Sequence, residues 1–408
     1  MGTIQQLTEH QKTGLLLLEK SFKDNYISCL SGYAGTGKST IIGEFVRSNG
    51  ITPDQVVYLT FTGKASTVLQ SKGLPSMTIH SFLYAWTVIE DGNGKKKFIA
   101  TKRQPDEFPS IKLIVIDEIS MVNDELLSDI LEFLLASKGR IKLICLGDIG
   151  QLPPVDETKS KLSKKILKNS VFNLEEFMRF SESSGIYELS DRVRKGLPLK
   201  LGAYQGCRVV KGSPKLIRSF LRKKNSQILV TTNKTRLDIN KMARDMFGYD
   251  SPIPEVGEKV IFTHNNRDII SSDYKLPIMN GVLGTVQEVL GSHTEIHSVG
   301  VFKTTVNSNN SIFSNVWIDS DNFLEMANGV NPELDLKRKL TYVSNQEEYF
   351  ISKLNTLDFA YSITVHKSQG SEFEEVLFIA EKWGSPKFVK KLLYTGITRA
   401  TKNITIMI

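Results

Sequence analysis

Eight consecutive residues, Gly32-Tyr33-Ala34-Gly35-Thr36-Gly37-Lys38-Ser39, fill the pattern GxxxxGK[ST] completely. The chemistry of this pattern is phosphate binding. Its glycines let backbone N–H groups turn inward around phosphate oxygens, and a following helix adds partial positive charge. Lys38 would reach the β- and γ-phosphates of ATP, and the Ser39 hydroxyl would ligate Mg²⁺. Gly35, Thr36, Gly37, Lys38, Ser39 and Thr40 are therefore the candidate nucleotide contacts. A second pair of groups, Asp117-Glu118, closes the apolar run Leu113–Ile116. Asp117 would hold the hydration shell of Mg²⁺, and Glu118 would orient or deprotonate an attacking water. An acidic pair also suits a helix start. The apolar run before it and the phosphate loop upstream favour the catalytic reading. The third element is Gly147-Asp148-Ile149-Gly150-Gln151-Leu152-Pro153-Pro154. A proline-terminated strand exit accounts for Pro153 and Pro154, but not for the whole string.

These groups need elements to position them. Ile27–Leu30, Val56–Phe61, Ile111–Ile116 and Ile141–Leu146 read as strands, and Ser39–Arg47 as a helix. Runs this apolar suit parallel strands covered on both faces. Strand–helix alternation predicts a doubly wound α/β domain with its site at the carboxyl ends of the strands. Glu90-Asp91-Gly92-Asn93-Gly94-Lys95 is a hairpin-turn signal between Trp86–Ile89 and Phe98–Thr101. A second α/β pattern begins near Leu174, with a strand at Gln227–Thr232 and a helix at Arg236–Phe247. From Gly257 to about Tyr342, strands alternate with turns, which reads as an all-β insertion of the small-barrel type. The α/β pattern resumes at Leu357 and ends with Ile404–Ile408. The expected domains are 1–173, with a hairpin insertion at about 84–108, then 174–256 joined with 345–408, and a β-rich insertion at 257–344.

The chain has 408 residues, 40% hydrophobic and 24% charged, as in a soluble globular protein of several units. No apolar run is long enough to span a bilayer, and Met1–Lys12 lacks a signal pattern, so a cytoplasmic protein without a membrane partner is expected. Cys29, Cys145 and Cys207 form no CxxC pair, which argues against a zinc site or a disulfide framework. A net charge of +8 favours polyanion partners.

The string from Gly147 to Pro154 resembles the motif in superfamily 1 DNA helicases that carries the γ-phosphate sensor. The resemblance points to the branch containing RecD and the bacteriophage Dda helicase, and it runs over nearly the full chain in order. It implies two RecA-like domains, the second carrying an SH3-like barrel. Gln151 would sense the γ-phosphate. Thr8-Glu9-His10-Gln11 resembles the segment whose Gln reads adenine, and it also fits a capping box with Thr8 as N-cap, so Gln11 has two compatible readings. Thr60-Phe61-Thr62-Gly63-Lys64-Ala65 and Thr78-Ile79-His80-Ser81-Phe82 resemble segments that touch DNA, which makes Thr62, Lys64 and His80 candidate contacts. Leu174–Arg179 resembles the motif that supplies an arginine to the γ-phosphate. Arg179 would take this role, with Arg192 and Arg194 as competitors. Leu393–Ala400 resembles the last helicase motif and makes Arg399 a second arginine finger. Ser362–Gly370 resembles the motif that bridges nucleotide and DNA. Thr364, His366 and Lys367 would meet the nucleic-acid backbone, and Gly370 and Glu372 the nucleotide.

Phe98, beside Lys95-Lys96-Lys97, is the candidate wedge on the hairpin; a solvated lysine run fits the same residues. The resemblance implies an ATP-driven, Mg²⁺-dependent helicase moving 5′→3′ on single-stranded DNA and opening duplex junctions. No oligomer is required, single-strand-binding or replication proteins are the partner class, and the setting is a bacterial host cytoplasm if a phage encodes the chain. A translocase that displaces proteins and a non-motor, DNA-binding ATP switch are the competing readings.

Overall fold

The computed structural model describes residues 7–90, 96–153, 160–178, 184–273, 277–296, 299–308, 311–329, 354–381 and 383–408; for 86–90, 96–99, 267–268, 291–296 and 299 it describes the backbone alone. The chain divides into two compact units. Unit one is Met1–Thr87, Phe98–Val209 and Gly384–Ile404; unit two is Val88–Lys97, Val210–Trp383 and Thr405–Ile408.

The elements run α1 (Glu9–Asp24), β1 (Ile27–Gly32), α2 (Lys38–Ser48), β2 (Val56–Thr60), α3 (Gly63–Ser71), β3 (Ser76–Thr78), α4 (Ile79–Leu83), the hairpin strands β4 (Tyr84–Glu90) and β5 (Lys96–Lys102), β6 (Leu113–Ile116), α5 (Asp124–Ala136), β7 (Lys142–Gly147), α6 (Lys161–Lys168), β8 (Phe172–Leu174), α7 (Gly185–Arg194), β9 (Gly202–Tyr204) and β10 (Cys207–Val210). Six of these strands form one parallel sheet in the order β3-β2-β6-β7-β1-β8. Alternation along the strands sends side chains to two cores. Leu59, Ile114, Ile116, Leu143 and Cys145 join α4 and α5 on one face. Leu30, Tyr58, Leu113, Val115, Ile144 and Leu146 join α1 and α2 on the other. Each fully buried Leu or Ile contributes about 1.5–3 kcal/mol, so a charge at Val115 would break both the strand and the core. Cys29 and Cys145 lie opposite each other on β1 and β7, and burial pushes the Cys29 thiol up to about 12.

Unit two continues with α8 (Pro214–Leu221), β11 (Ser226–Val230), α9 (Asn233–Phe247), β12 (Lys259–Phe262), β13 (Asn266–Ile270), β14 (Pro277–Ile278), β15 (Leu283–Ile296), β16 (Val299–Ser308), β17 (Ser311–Asp319), α10 (Ser320–Ala327), β18 (Leu357–Phe359), β19 (Ser362–Thr364) and β20 (Phe373–Ile379). The chain then returns to unit one as α11 (Pro386–Ile397) and passes through β21 (Ala400–Met407) back into unit two. β11 lies parallel between β19 and β20. The Ala380 N–H donates to the Met407 carbonyl and the Ile408 N–H to the Val210 carbonyl, which adds the end of β21 to this second sheet.

The all-β segment is a five-stranded antiparallel sheet, β17-β16-β15-β12-β18, with a separate ribbon of β13 and β14. The two ends of this order meet: the Asp319 N–H donates to the Asn355 carbonyl at 2.9 Å and the Asn355 N–H to the Trp317 carbonyl at 2.8 Å, a parallel bridge between β17 and the residues leading into β18, the kind of contact that closes a small barrel. The sheet also takes β18 from beyond the expected insertion. Leu174 differs from the sequence reading too. Phe172–Leu174 pairs with β1 in the first sheet, and residues 174–209 and 384–404 belong to unit one. The reason is local bonding: the Tyr33 N–H donates to the Leu174 carbonyl, the Met178 N–H donates to the Gly35 carbonyl, and α7 packs on α11. No helix among the described residues is long and apolar enough to cross a membrane.

Candidate active site

The phosphate loop leaves the carboxyl end of β1 and enters α2. Gly35 and Gly37 have φ of 81° and 83°, a region that costs an L-residue about 1–2 kcal/mol. A side chain at Gly37 would also place its Cβ 2.3 Å from Gln11 Nε2. Lys38 Nζ donates to the carbonyls of Gly32 and Tyr33 at 2.8 and 2.9 Å, and the Thr36 hydroxyl donates to Tyr33 O at 2.9 Å. Thr36 is buried; Ser39 is exposed and Thr40 half-buried at the start of α2. Gln11 forms the capping box: its backbone N–H donates to the Thr8 hydroxyl, and its Oε1 accepts from Thr8 N at 3.1 Å. Its Nε2 donates to Thr36 O at 3.1 Å, so the same amide also braces the loop.

Asp117 and Glu118 directly follow β6, half-buried. Burial raises both carboxyls above their usual range; Lys38 opposes this at Asp117, and Arg399 opposes it at Glu118 while Asp117 adds to it. Glu118 has φ of 54°, one of the few positive values at a non-glycine residue. Strain of this kind, about 1–3 kcal/mol, persists where the surroundings over-determine the backbone, and active sites are typical places.

After β7, Asp148 is buried and accepts three bonds. Its Oδ2 takes Ala34 N–H at 3.0 Å and the Tyr394 hydroxyl at 2.8 Å, and its Oδ1 takes Gly150 N–H at 2.8 Å. Ala34 N also lies 3.2 Å from the Tyr394 oxygen. The phosphate loop, the strand-end turn and α11 therefore share one hydrogen-bonded knot. Leu152 N–H donates to the Thr395 hydroxyl at 3.0 Å, and Lys391 Nζ to Gln151 O at 3.1 Å. Gln151 is buried, and its Oε1 has no hydrogen-bond partner among the described residues. Arg399 is buried, held by Thr395 O at 3.1 Å and the Thr398 hydroxyl at 3.3 Å.

Arg179 lies outside the described residues. Of its two competitors, Arg194 reaches the phosphate loop. Its guanidinium carbon sits 3.5 Å from the centroid of the Tyr33 ring, and Phe177 stacks on that ring at 5.9 Å. Arg194 Nη1 is buried without a hydrogen-bond partner. Arg192 instead donates to Pro198 O.

The nucleic-acid candidates fall in both units. β2 and β3 are adjacent, Thr60 opposite Thr78, so the segments after them leave the same sheet edge together. Thr62 caps α3, Lys64 is half-buried with its amine lowered to about 8 by burial, and His80 is exposed with its ring 6.3 Å from Phe61. Phe98 lies on β5, but its side chain is outside the described residues. In unit two, buried Thr364 ends β19 and its hydroxyl accepts from Lys367 N. Burial lowers the His366 ring and the Lys367 amine; Lys367 Nζ is 3.5 Å from Asp358, which also binds Arg236 at 2.7 Å. Gly370, at φ of 73°, and exposed Glu372 follow in the same turn region.

Asp148, Tyr394, Thr395 and Tyr33 are the site residues that sequence reasoning missed, and Arg194, named only as an alternative to Arg179, is placed on the Tyr33 ring. Each lay inside or beside a quoted string, but the strings alone did not show that they meet.

Comparisons with known proteins bear on the fold and the family. The AAA domain model matches residues 6–213, and the UvrD-like helicase C-terminal domain model matches 359–407. The chain is 24% identical over 457 residues to the RecBCD enzyme subunit RecD of Buchnera aphidicola subsp. Schizaphis graminum, covering 94% of this chain and 70% of that one. It is 24% identical over 392 residues to the ATP-dependent RecD2 DNA helicase of Deinococcus radiodurans, covering 91% of this chain and 45% of that protein. In fold it is similar to the crystal structure of Pif1 helicase from Candida albicans, with a TM-score of 0.55, 18% identity, and coverage of 99% and 94%. With the AAA domain spanning half its length and the phosphate loop, acidic pair and C-terminal arginine gathered in unit one, the chain belongs to the superfamily 1 helicases of the RecD and Pif1 type.

Proposed function

We propose that the chain is an ATP-dependent DNA helicase that moves 5′→3′ along single-stranded DNA and opens duplex junctions. The observation that carries this reading is the knot of Ala34, Asp148 and Tyr394, which ties the phosphate loop to the helix that leads into Arg399. Lys38 binds the β- and γ-phosphates. Glu118, its carboxyl raised by burial, orients the attacking water and takes its proton, and Gln151 Oε1 accepts a hydrogen bond from the same water. The water oxygen bonds to the γ-phosphorus as the bond to the β–γ bridging oxygen breaks, releasing ADP and phosphate. Arg399 stabilises the charge on the transferring group, with Arg179 or Arg194 as the second guanidinium. Mg²⁺ fits a Ser39 hydroxyl and an Asp117 carboxylate: among the described residues no cluster of His, Cys, Asp or Glu forms an all-protein cage, and Mg²⁺ prefers one or two protein groups plus phosphates and water. When bound, it would neutralise charge on the β- and γ-phosphates.

Thr62, Lys64 and His80 grip the strand from unit one, and Thr364, His366 and Lys367 from unit two. Alternation of the two grips through the ATP cycle gives a step. The hairpin of β4 and β5, with Phe98, is the strand-separating pin. The test is unwinding of duplexes carrying a 5′ or a 3′ single-stranded tail, with Lys38→Ala as control. ATP-dependent unwinding from the 5′ tail alone, lost in the control, is expected. DNA-stimulated hydrolysis without unwinding of either duplex would overturn the helicase reading in favour of a protein-displacing translocase or a switch.

A further inference from the structure

The net charge of +8 is not spread evenly. Residues 211–224 hold six cations, Lys211, Lys215, Arg218, Arg222, Lys223 and Lys224, and no acid. The rest of the chain then carries 46 Lys and Arg against 44 Asp and Glu, close to neutral. All six are exposed, and five make no ion pair among the described residues; Lys223 pairs with Glu375 at 2.5 Å. The mixed-charge helix α9 shows the contrast, with Lys234, Asp238, Lys241 and Asp245 interleaved along it.

Local structure turns this composition into a stripe. Ile217, Phe220 and Leu221 bury one face of α8 in the unit-two core. Lys215, Arg218 and Arg222 follow at i, i+3 and i+7, one line on the solvent face. The line is about 10.5 Å long at 1.5 Å per residue, which spans about three phosphates of one strand of a B-form duplex at 3.4 Å each. Arg218 also lines a shallow groove with Asp238, Lys241 and Asp245 of α9. The stripe leads into the amino end of β11, where the Ser226 hydroxyl donates to Lys223 O. The Thr364–Gly370 turn lies at the carboxyl end, where Val365 N–H donates to Val230 O. A five-residue strand, about 17 Å, separates them. The stretch lacks a stacking platform: its one aromatic, Phe220, is buried. Single strands are held by stacked bases as well as charge, whereas a duplex backbone is held by charge alone.

We propose that the face of α8 bearing Lys215, Arg218 and Arg222 is a second nucleic-acid site that binds the phosphate backbone of duplex DNA. It rests on DNA being the substrate, as the proposed function has it. The test uses the full chain and the triple variant Lys215→Gln, Arg218→Gln, Arg222→Gln, with Arg222→Gln alone as a milder second variant. Binding to a short blunt duplex and to oligothymidine is followed across a salt titration, and oligothymidine-stimulated ATPase reports on the fold. The triple variant should lower the duplex salt slope by about 2.7 and the single variant by about 0.9, with oligothymidine affinity and ATPase unchanged. An unchanged duplex slope overturns the proposal, and so does an equal loss for oligothymidine. Binding of polyglutamate that the variant loses while duplex binding stays intact would assign the face to an acidic protein instead, which also overturns it. Wild-type ATPase that ignores oligothymidine would instead refute the proposed helicase function, whatever the duplex slope shows.

Discussion

Removing one oxygen, in Tyr394→Phe, tests whether the phosphate loop depends on its knot with α11. The Tyr394 side chain is buried, so phenylalanine fills the same volume and opens no cavity. What is lost is the bond from the hydroxyl to Asp148 Oδ2 at 2.8 Å, together with the longer one that the hydroxyl accepts from Ala34 N–H at 3.2 Å. Hydrogen bonds to charged groups contribute about 1.5–3 kcal/mol. The low end applies here, because Asp148 keeps the Ala34 and Gly150 N–H groups and Ala34 keeps Asp148. About 1.5 kcal/mol corresponds to roughly a tenfold change. The knot sits on the loop that binds phosphate before and during reaction, so the loss should appear mainly as a tenfold rise in KM for ATP, with kcat nearly kept. Steady-state ATPase at saturating oligothymidine measures both constants. Asp148→Asn in both backgrounds completes a double-mutant cycle, and the two changes should be non-additive because both act on the same bond. A KM within twofold of wild type, together with additive effects, would refute the idea that this bond anchors the loop.

Glu118→Gln should reduce hydrolysis by about 10²–10⁴-fold while nucleotide binding is retained, checked by ATPase and fluorescent-nucleotide binding. Burial raises the Glu118 carboxyl in the fold, so its ionised form weakens stability once pH rises through the folded-state value. The glutamine variant should therefore melt no lower than wild type at neutral pH in a thermal scan; a clear fall in Tm would contradict the direction of that shift. Lys64, lowered to about 8 by burial, is charged below that pH and neutral above it. Affinity for single-stranded DNA should then weaken as pH rises from 7 to about 9, and Lys64→Gln should flatten that part of the pH profile.

The motifs that carry chemistry were legible because each is contiguous. Gly32–Ser39, Asp117-Glu118 and Gly147–Gln151 all sit at the carboxyl ends of neighbouring strands of one parallel sheet, as strand–helix alternation predicts. What the sequence hid is of two kinds. Ser76–Thr78 and Phe172–Leu174 are three-residue strands, too short for any periodicity, and missing the second moved the expected domain boundary. The other kind is contact between distant residues. Tyr394 meets Asp148 across 246 positions, and Arg194 meets Tyr33 through a ring face, a pairing with no spacing rule. Arg194 also shows why the choice among Arg179, Arg192 and Arg194 is not written in the sequence: α7 brings Arg194 to the loop while packing on α11, a tertiary fact.

The same knot constrains how the protein can be made. Ala34 and Tyr394 are 360 residues apart in the chain. At about 5–20 residues per second, roughly 20–70 s of synthesis separate the two. The parallel sheet of unit one draws its six strands from residues up to Leu174, so its core can form on the ribosome well before α11 emerges. During that interval the nascent chain carries a folded phosphate loop without its Tyr394 tether and without Arg399. On the roles proposed above, hydrolysis would wait for Arg399, and so for unit two and its Thr364–Gly370 turn to be translated as well.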